Sequence, residues 1–286
     1  MPGISTAGLS GIEETSFVTL HARAVDANAD RPILGDPYAQ KIAQAFDYDW
    51  RRIQPSPKLE QKERLNVTIR AIHFDRWVRR FLTRHPSAIV LDLGCGLDSR
   101  GYRIGPPPES DWYDVDLPTM IALRAQVYQQ TANIHMLPTS LNNDGWLETL
   151  PSHRPVVAVM DGLYPWMTKP TFIQLLRRIT THFEAGEILL LGFSKLSSRM
   201  MRTVVPAIKT IGAPVNEGFD NPHEVERWNP RLKLAEQERF ISSPEVAKMP
   251  RGEQIRCAIM RAIPGLARMD KGMLRYTFGH SSEAAT

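Results

Sequence analysis

Ile89-Val90-Leu91-Asp92-Leu93-Gly94-Cys95-Gly96-Leu97-Asp98-Ser99-Arg100 is an apolar run that breaks into two glycines. A strand that ends this way lets its backbone approach a nucleotide-like ligand closely, so Gly94 and Gly96 are read as positions of backbone approach. Twenty residues past Gly96, within Trp112-Tyr113-Asp114-Val115-Asp116-Leu117-Pro118, a second short apolar strand ends in Asp116. A carboxylate there is placed to bind the two ribose hydroxyls of an adenosine. Gly94-x-Gly96 followed by Leu-Asp-Ser lacks the third glycine of the dinucleotide fingerprint. Without a full cradle for a pyrophosphate, S-adenosylmethionine fits better than a nicotinamide dinucleotide.

The rest of the chain sets bounds on that reading. Its 286 residues with 42% hydrophobic content suit an ordinary globular protein with one ample core. Two cysteines, Cys95 and Cys257, give neither metal spacing nor a disulfide framework, which favours a reducing, cytoplasmic setting and no metal. The first 30 residues carry Glu13, Glu14 and Asp26 without a long apolar run, so no secretory signal or membrane span is expected. Net charge is +4 but unevenly laid out: residues 89–194 hold 7 Lys/Arg against 11 Asp/Glu, residues 195–275 hold 15 against 9. The later segment is therefore basic and suited to an anion. It has no dense Lys/Arg run interleaved with aromatics, which argues against nucleic acid.

Strand patterns at 89–93, 112–115, 133–137, 155–160 and 187–193 alternate with helical ones at 119–130 and 170–183. Such alternation implies an α/β fold with a parallel sheet, helices on both faces, and ligands at the strands' carboxyl ends. Upstream, helices are expected at 19–26 and 38–46, and a long amphipathic one at 59–84 leads into the first strand after Pro55 and Pro57. Downstream, a Met- and Arg-rich helix at 196–211, a loop at 214–230 and late strands at 232–240 and 273–278 read as a lid plus the sheet's edge. The organisation is then a helical region (1–84), a cofactor-binding core (85–195) and a lid with sheet edge (196–280), all one domain. The polar ends, 1–12 and 281–286, are expected to fray.

These landmarks together resemble the leucine carboxyl methyltransferase family, which includes bacterial polyketide O-methyltransferases of the tetracenomycin type. Gly94-Cys95-Gly96-Leu97-Asp98-Ser99-Arg100 matches its Gly-x-Gly-Leu-Asp-Thr-Arg signature, and Asp114-Val115-Asp116-Leu117-Pro118 its Glu-Val-Asp-Leu-Pro strand end. Asp161-Gly162-Leu163-Tyr164-Pro165-Trp166-Met167 is similar to its Glu-Gly-Leu-x-x-Tyr-Leu segment. The resemblance implies a class I, Rossmann-like, doubly wound and mostly parallel seven-stranded sheet. It also implies an N-terminal helical cap and a lid insertion after strand 5. It places the methionine carboxylate of S-adenosylmethionine on Arg70, leaves the adenine amino group to Ser140 or Asn142, and counts Leu117 and Leu141 among the cofactor contacts. Asp92, Asp98 and Arg100 stand around the glycine loop, either touching the cofactor or ordering that loop, and Asp161 with Gly162 faces the cofactor's ammonium group. Two departures matter: Ser140-Leu141-Asn142-Asn143 replaces the family's Asp-Leu-Arg-Asp, and Asp161 replaces a glutamate.

The activity this implies is O-methylation of a carboxylate or acidic hydroxyl on a small, anionic or aromatic natural product. His21, Arg23, Tyr164 and Trp166 are candidate substrate contacts, and the catalytic group is left unassigned. With no His-Asp pair in view and a basic lid, an anionic acceptor held by arginine is the simpler expectation. The alternatives are a protein C-terminal carboxyl acceptor, a protein that binds the cofactor without methylating (a regulator or cyclisation scaffold), and a nicotinamide dehydrogenase.

Overall fold

The structure, a computed structural model, describes residues 3–9, 11–53, 57–204, 206–267 and 269–279. Seven strands form one sheet: β1 (Ile89–Leu93), β2 (Asp111–Asp116), β3 (Ile134–Pro138), β4 (Val156–Met160), β5 (Gly186–Leu191), β6 (Lys233–Glu238) and β7 (Met273–Phe278). They lie in the order β3-β2-β1-β4-β5-β7-β6. The first five are parallel, and β7 runs antiparallel to both β5 and β6. Every residue of β1 and of β4 is buried. Both sheet faces are covered by helices, which is why these strands read as unbroken apolar runs rather than alternating ones.

The chain leaves β1 in one direction towards β2 and β3, then returns to β4 on the other side. That reversal opens a crevice beyond the carboxyl ends of β1 and β4. The connections are α4 (Arg100–Ile104) after β1, α5 (Pro118–Val127) after β2 and α6 (Lys169–His182) after β4. Phe172, Leu175, Leu176 and Ile179 of α6 pack on Leu91, Ala158 and Ile188 on one face. On the other, Phe74, Val78 and Phe81 of the long helix α3 (Pro57–Arg84) pack on Val90, Val157 and Leu189.

Upstream of α3 lie α1 (Thr15–Ala27) and α2 (Ala39–Ala45), with a two-residue parallel pairing of Ile4–Ser5 with Phe46–Asp47. Phe17 and Leu20 of α1 bury against Leu97 and Met120, so the cap is packed on the glycine loop itself.

Two downstream elements differ from expectation. The helix expected over 196–211 is two, α7 (Lys195–Val204) and α8 (Pro206–Ile211), because Pro206 brings no N–H and serves better as a helix start. The expected loop at 214–230 holds a helical turn, α9 (Glu224–Trp228), before β6; α10 (Arg251–Ala262) and α11 (Pro264–Ala267) separate β6 from β7. Among the described residues, no helix is long and apolar enough to cross a membrane. The tail at 281–286 and Pro55 lie outside the described residues.

Candidate cofactor and acceptor site

The turn after β1 is built for close approach. Gly94 and Gly96 adopt φ of 68° and 49°, the left-handed region that a Cβ disfavours. A Cβ would also stand 3.0 Å from Leu163 Cδ1 at Gly94, and 2.8 Å from Ser16 Oγ at Gly96. Asp116, at the tip of β2, binds this turn directly: its Oδ2 accepts the Gly96 N–H at 2.7 Å and its Oδ1 the Leu117 N–H at 2.7 Å. The remaining lone pairs face a cavity that Asp116 lines. Burial raises the Asp116 carboxyl, and the two backbone donors oppose that rise.

The turn's carbonyls are gripped from beneath by residues that the sequence did not single out. Arg124 of α5 donates to Gly96 O at 2.9 Å and Asp98 O at 2.7 Å, and is itself paired with buried Asp114. Tyr128 Oη donates to Leu97 O at 3.1 Å. Periodicity alone cannot show this, since a basic residue in an amphipathic helix usually faces water.

Below the strand tips lies a buried cluster of ions. Arg100, 1% exposed, gives Nε to Asp75 (3.1 Å), Nη1 to Asp92 (3.1 Å) and Nη2 to Asp161 (2.7 Å), with Asp98 at 3.6 Å. Its donors are spent on carboxylates, so Arg100 orders the site from within. Asp98 is likewise bound by Arg103 and by Arg23 Nη1 at 3.3 Å. Burial works against the Asp98 charge, but Arg103, Arg23 and Arg100 together hold its carboxyl well below the ordinary range. Arg23 also donates to Leu97 O at 3.0 Å and lies 3.4 Å from Asp36. It clamps α1 to the glycine loop and also lines the cavity, its Nε buried without a hydrogen-bond partner.

Some polar capacity is left over. Asp92 Oδ2 is buried without a hydrogen-bond partner, and burial pushes this carboxyl up to about 7 despite Arg100. Arg70 Nε and Asp161 Oδ1 stand 2.9 Å apart, yet neither atom has a well-aligned hydrogen bond. Nothing else among the described residues answers these groups, which suits a zwitterion carrying its own carboxylate and ammonium.

The glycine turn, Asp116, Arg70, Asp92 and Asp161 border one cavity of about 310 Å³. Ser140, Leu141 and Asn142 edge it after β3, and Gly162 (φ 75°) brings the chain after β4 close to the Arg70 guanidinium. Its apolar wall comes from Leu163, Trp166, Met201 and Ile208.

Of the substrate candidates, Trp166 lines the cavity. Tyr164 does not: it is 2% exposed, stacked on Trp228 and edge-to-face with Phe172 and Phe219. His21 is also absent from the lining, its Nε2 held by Glu60 at 2.8 Å. The basic lid contributes Met201 and Ile208 rather than arginine; among the described residues, the lining arginines are Arg23, Arg70 and Arg100. Sequence reading missed Glu63, which also lines the cavity. Burial and the nearby Glu60 charge push its carboxyl up to about 7, with Lys62 opposing. No three His, Cys, Asp or Glu among the described residues are grouped to hold a metal ion.

Comparison with known proteins gives the family. The leucine carboxyl methyltransferase family model matches residues 16–180. The tetracenomycin polyketide synthesis O-methyltransferase TcmP of Streptomyces glaucescens is 37% identical over 280 residues, covering 96% of this chain and 99% of that one. The S-adenosyl-L-methionine-dependent methyltransferase dpfgK of Gibberella zeae is 32% identical over 244 residues, covering 80% and 82%. Two solved structures share the fold. One is a Thermobifida fusca protein assigned as a methyltransferase (TM-score 0.52, 16% identity, 91% of this chain and 94% of that one). The other is the Synechocystis magnesium protoporphyrin IX methyltransferase with bound S-adenosylhomocysteine (TM-score 0.50, 9% identity, 80% and 92%). The chain belongs to the leucine carboxyl methyltransferase family and is an S-adenosylmethionine-dependent methyltransferase.

Proposed function

We propose that the chain methylates an oxygen, a carboxylate or an acidic hydroxyl, on a small natural product such as a polyketide. The observation that carries this is the composition of one cavity, which joins the glycine turn and strand-end carboxylates to the apolar wall of Leu163, Trp166, Met201 and Ile208. The relative active in tetracenomycin polyketide synthesis supports a tailoring role.

The charged and polar groups divide the work. Asp116 takes the ribose hydroxyls on the lone pairs that Gly96 and Leu117 leave free. Arg70 takes the amino-acid carboxylate, while Asp161 Oδ1 and Asp92 Oδ2 face the ammonium. Leu117, Ser140 and Leu141 border the adenine. Arg100 and Asp98 hold these groups in place without touching the cofactor. The bound cofactor supplies an electrophilic methyl on a sulfonium. Aligning the acceptor oxygen with that methyl and keeping water out then supplies most of the rate, which is what an apolar wall and a packed cap provide.

The test supplies methyl-labelled cofactor with 3-hydroxy-2-naphthoic acid, which offers both acceptor groups. Base-labile label marks an ester and base-stable label on oxygen an ether, and either supports the reading. Label on carbon, or none transferred while S-adenosylhomocysteine binds normally, overturns it.

A further inference from the structure

We infer that Arg178 of α6 is a positioning residue: it holds the turn after β3 so that the Asn142 side chain reads the adenine base of the cofactor. The inference rests on the placement of the adenine beside that turn proposed above. It adds the residue that reads the base and the residue that aims it.

The turn has few bonds of its own. Asn143 N–H donates to Ser140 O at 3.0 Å and Asn142 N–H to Ser140 Oγ at 3.3 Å. No residue from 139 to 143 is charged. Leu141 packs against the core cluster that includes Leu175 and Ile179 of α6. Arg178 lies between those two in sequence, at the edge of the buried face of α6, and so within reach of the turn.

Its guanidinium grips the turn at two backbone points. Nη2 donates to Leu141 O at 3.1 Å, and Nη1 donates to Asn143 O at 2.8 Å. Nη1 also donates to Asp144 Oδ1 at 3.0 Å, but the Asp144 side chain is 84% exposed, where an ion pair adds little. The two carbonyls belong to the residues on either side of Asn142. One rigid, planar fork therefore anchors the backbone before and after that residue, which fixes the direction in which its side chain leaves the chain.

Asn142 is free to use that direction. It lines the cavity, and among the described residues its side-chain amide has no hydrogen-bond partner. Ser140 lines the cavity too, but its Oγ already accepts the Asn142 N–H. Adenine presents an amino group beside an acceptor nitrogen, and a carboxamide meets the pair with its oxygen and its NH2. Arg178 is absent from the cavity lining, so it acts through the turn rather than on the base. Ordering the turn before the ligand arrives removes an entropy loss that binding would otherwise carry.

The experiment titrates full chains of wild type, Arg178→Ala, Arg178→Lys, Asn142→Ala and the R178A/N142A double variant by calorimetry. The ligands are S-adenosylhomocysteine and its 6-deamino analogue, in which purine replaces adenine. Thermal unfolding checks that each free protein is folded. Wild type should prefer S-adenosylhomocysteine by about 3- to 10-fold, the worth of one hydrogen bond. R178A should bind S-adenosylhomocysteine about 5- to 20-fold more weakly, through that bond and the ordering of the turn, with its preference within about twofold of none. R178K should fall between them, since one ammonium cannot span both carbonyls as the fork does. N142A should abolish the preference by itself, and adding R178A should change it no further.

Equal weakening of both ligands in R178A with the wild-type preference kept, unchanged binding in R178A, or a preference that survives in N142A would overturn the route from Arg178 through Asn142, while the base stayed beside the turn. Equal binding of the two ligands by wild type would overturn the placement of the adenine amino group on this turn, and the inference with it.

Discussion

Replacing Asp116 with alanine removes two things at once, and their sizes can be separated. In the free protein, the Gly96 and Leu117 N–H groups lose their 2.7 Å charge-assisted partners. The site opens to a cavity, so water can replace the carboxylate and the fold should lose only about 1 to 3 kcal/mol. In the complex, the ribose diol loses a carboxylate that would accept two hydroxyl bonds. Charged hydrogen bonds are worth roughly 1.5 to 3 kcal/mol each with incomplete additivity, so binding should weaken by about 2 to 4 kcal/mol. That is a rise in dissociation constant of roughly 30- to 1,000-fold. The assay is calorimetric titration with S-adenosylhomocysteine alongside thermal unfolding of the free protein, with Asp116→Asn as a partial loss. Because burial raises the Asp116 carboxyl, wild-type binding should also weaken in acid before that of a protein with an ordinary aspartate there. A dissociation constant within threefold of wild type, in an Asp116→Ala protein that remains folded, would refute the ribose assignment.

Arg100→Met should destabilise the fold by about 3 to 5 kcal/mol, since it strands buried Asp92 and takes a cation from Asp161 and Asp75, which keep Arg70 and Arg103. Denaturant unfolding at pH 7 measures this, and a loss under 1 kcal/mol would contradict the buried-ion picture. Gly96→Ala should cost about 1 to 3 kcal/mol, because the residue keeps φ of 49° and its Cβ would press on Ser16 Oγ. Adding Ser16→Ala should recover part of that loss in the melting temperature, and no recovery would rule out the clash. For Asp98, the folded carboxyl sits well below the unfolded value of about 3.9. Its stabilisation is complete above about pH 4 and lost as pH falls from there towards the folded value. The melting-temperature gap between wild type and Asp98→Asn should therefore be constant from pH 7 to 5 and narrow below about pH 4; a gap unchanged in acid would contradict the sign.

The parallel strands were legible because burial on both faces forces continuous apolar runs, and the runs at 89–93 and 155–160 reappear as β1 and β4 within a residue. The break at Pro206 was also written in the sequence, yet an apolar and Met-rich stretch on both sides masked it. The glycine turn was readable because a left-handed bend at a strand end is a local property of the backbone, and Asp116 at the next strand end meets it. Arg100, Arg23 and Arg124 were not, because what binds each of them comes from other elements. The lid shows the same limit: its basic residues outnumber its acidic ones, but α7 and α8 turn Met201 and Ile208 to the cavity. Glu63 looks like any charge on a long amphipathic helix until the fold sets it on the cavity wall.

A crystal structure of the full chain with S-adenosylhomocysteine bound tests the central claim most directly. The account predicts ribose hydroxyls on Asp116, the amino-acid carboxylate on Arg70, and the sulfur facing the space bordered by Trp166. Ligand density elsewhere, or a ribose out of hydrogen-bonding reach of Asp116, would contradict it.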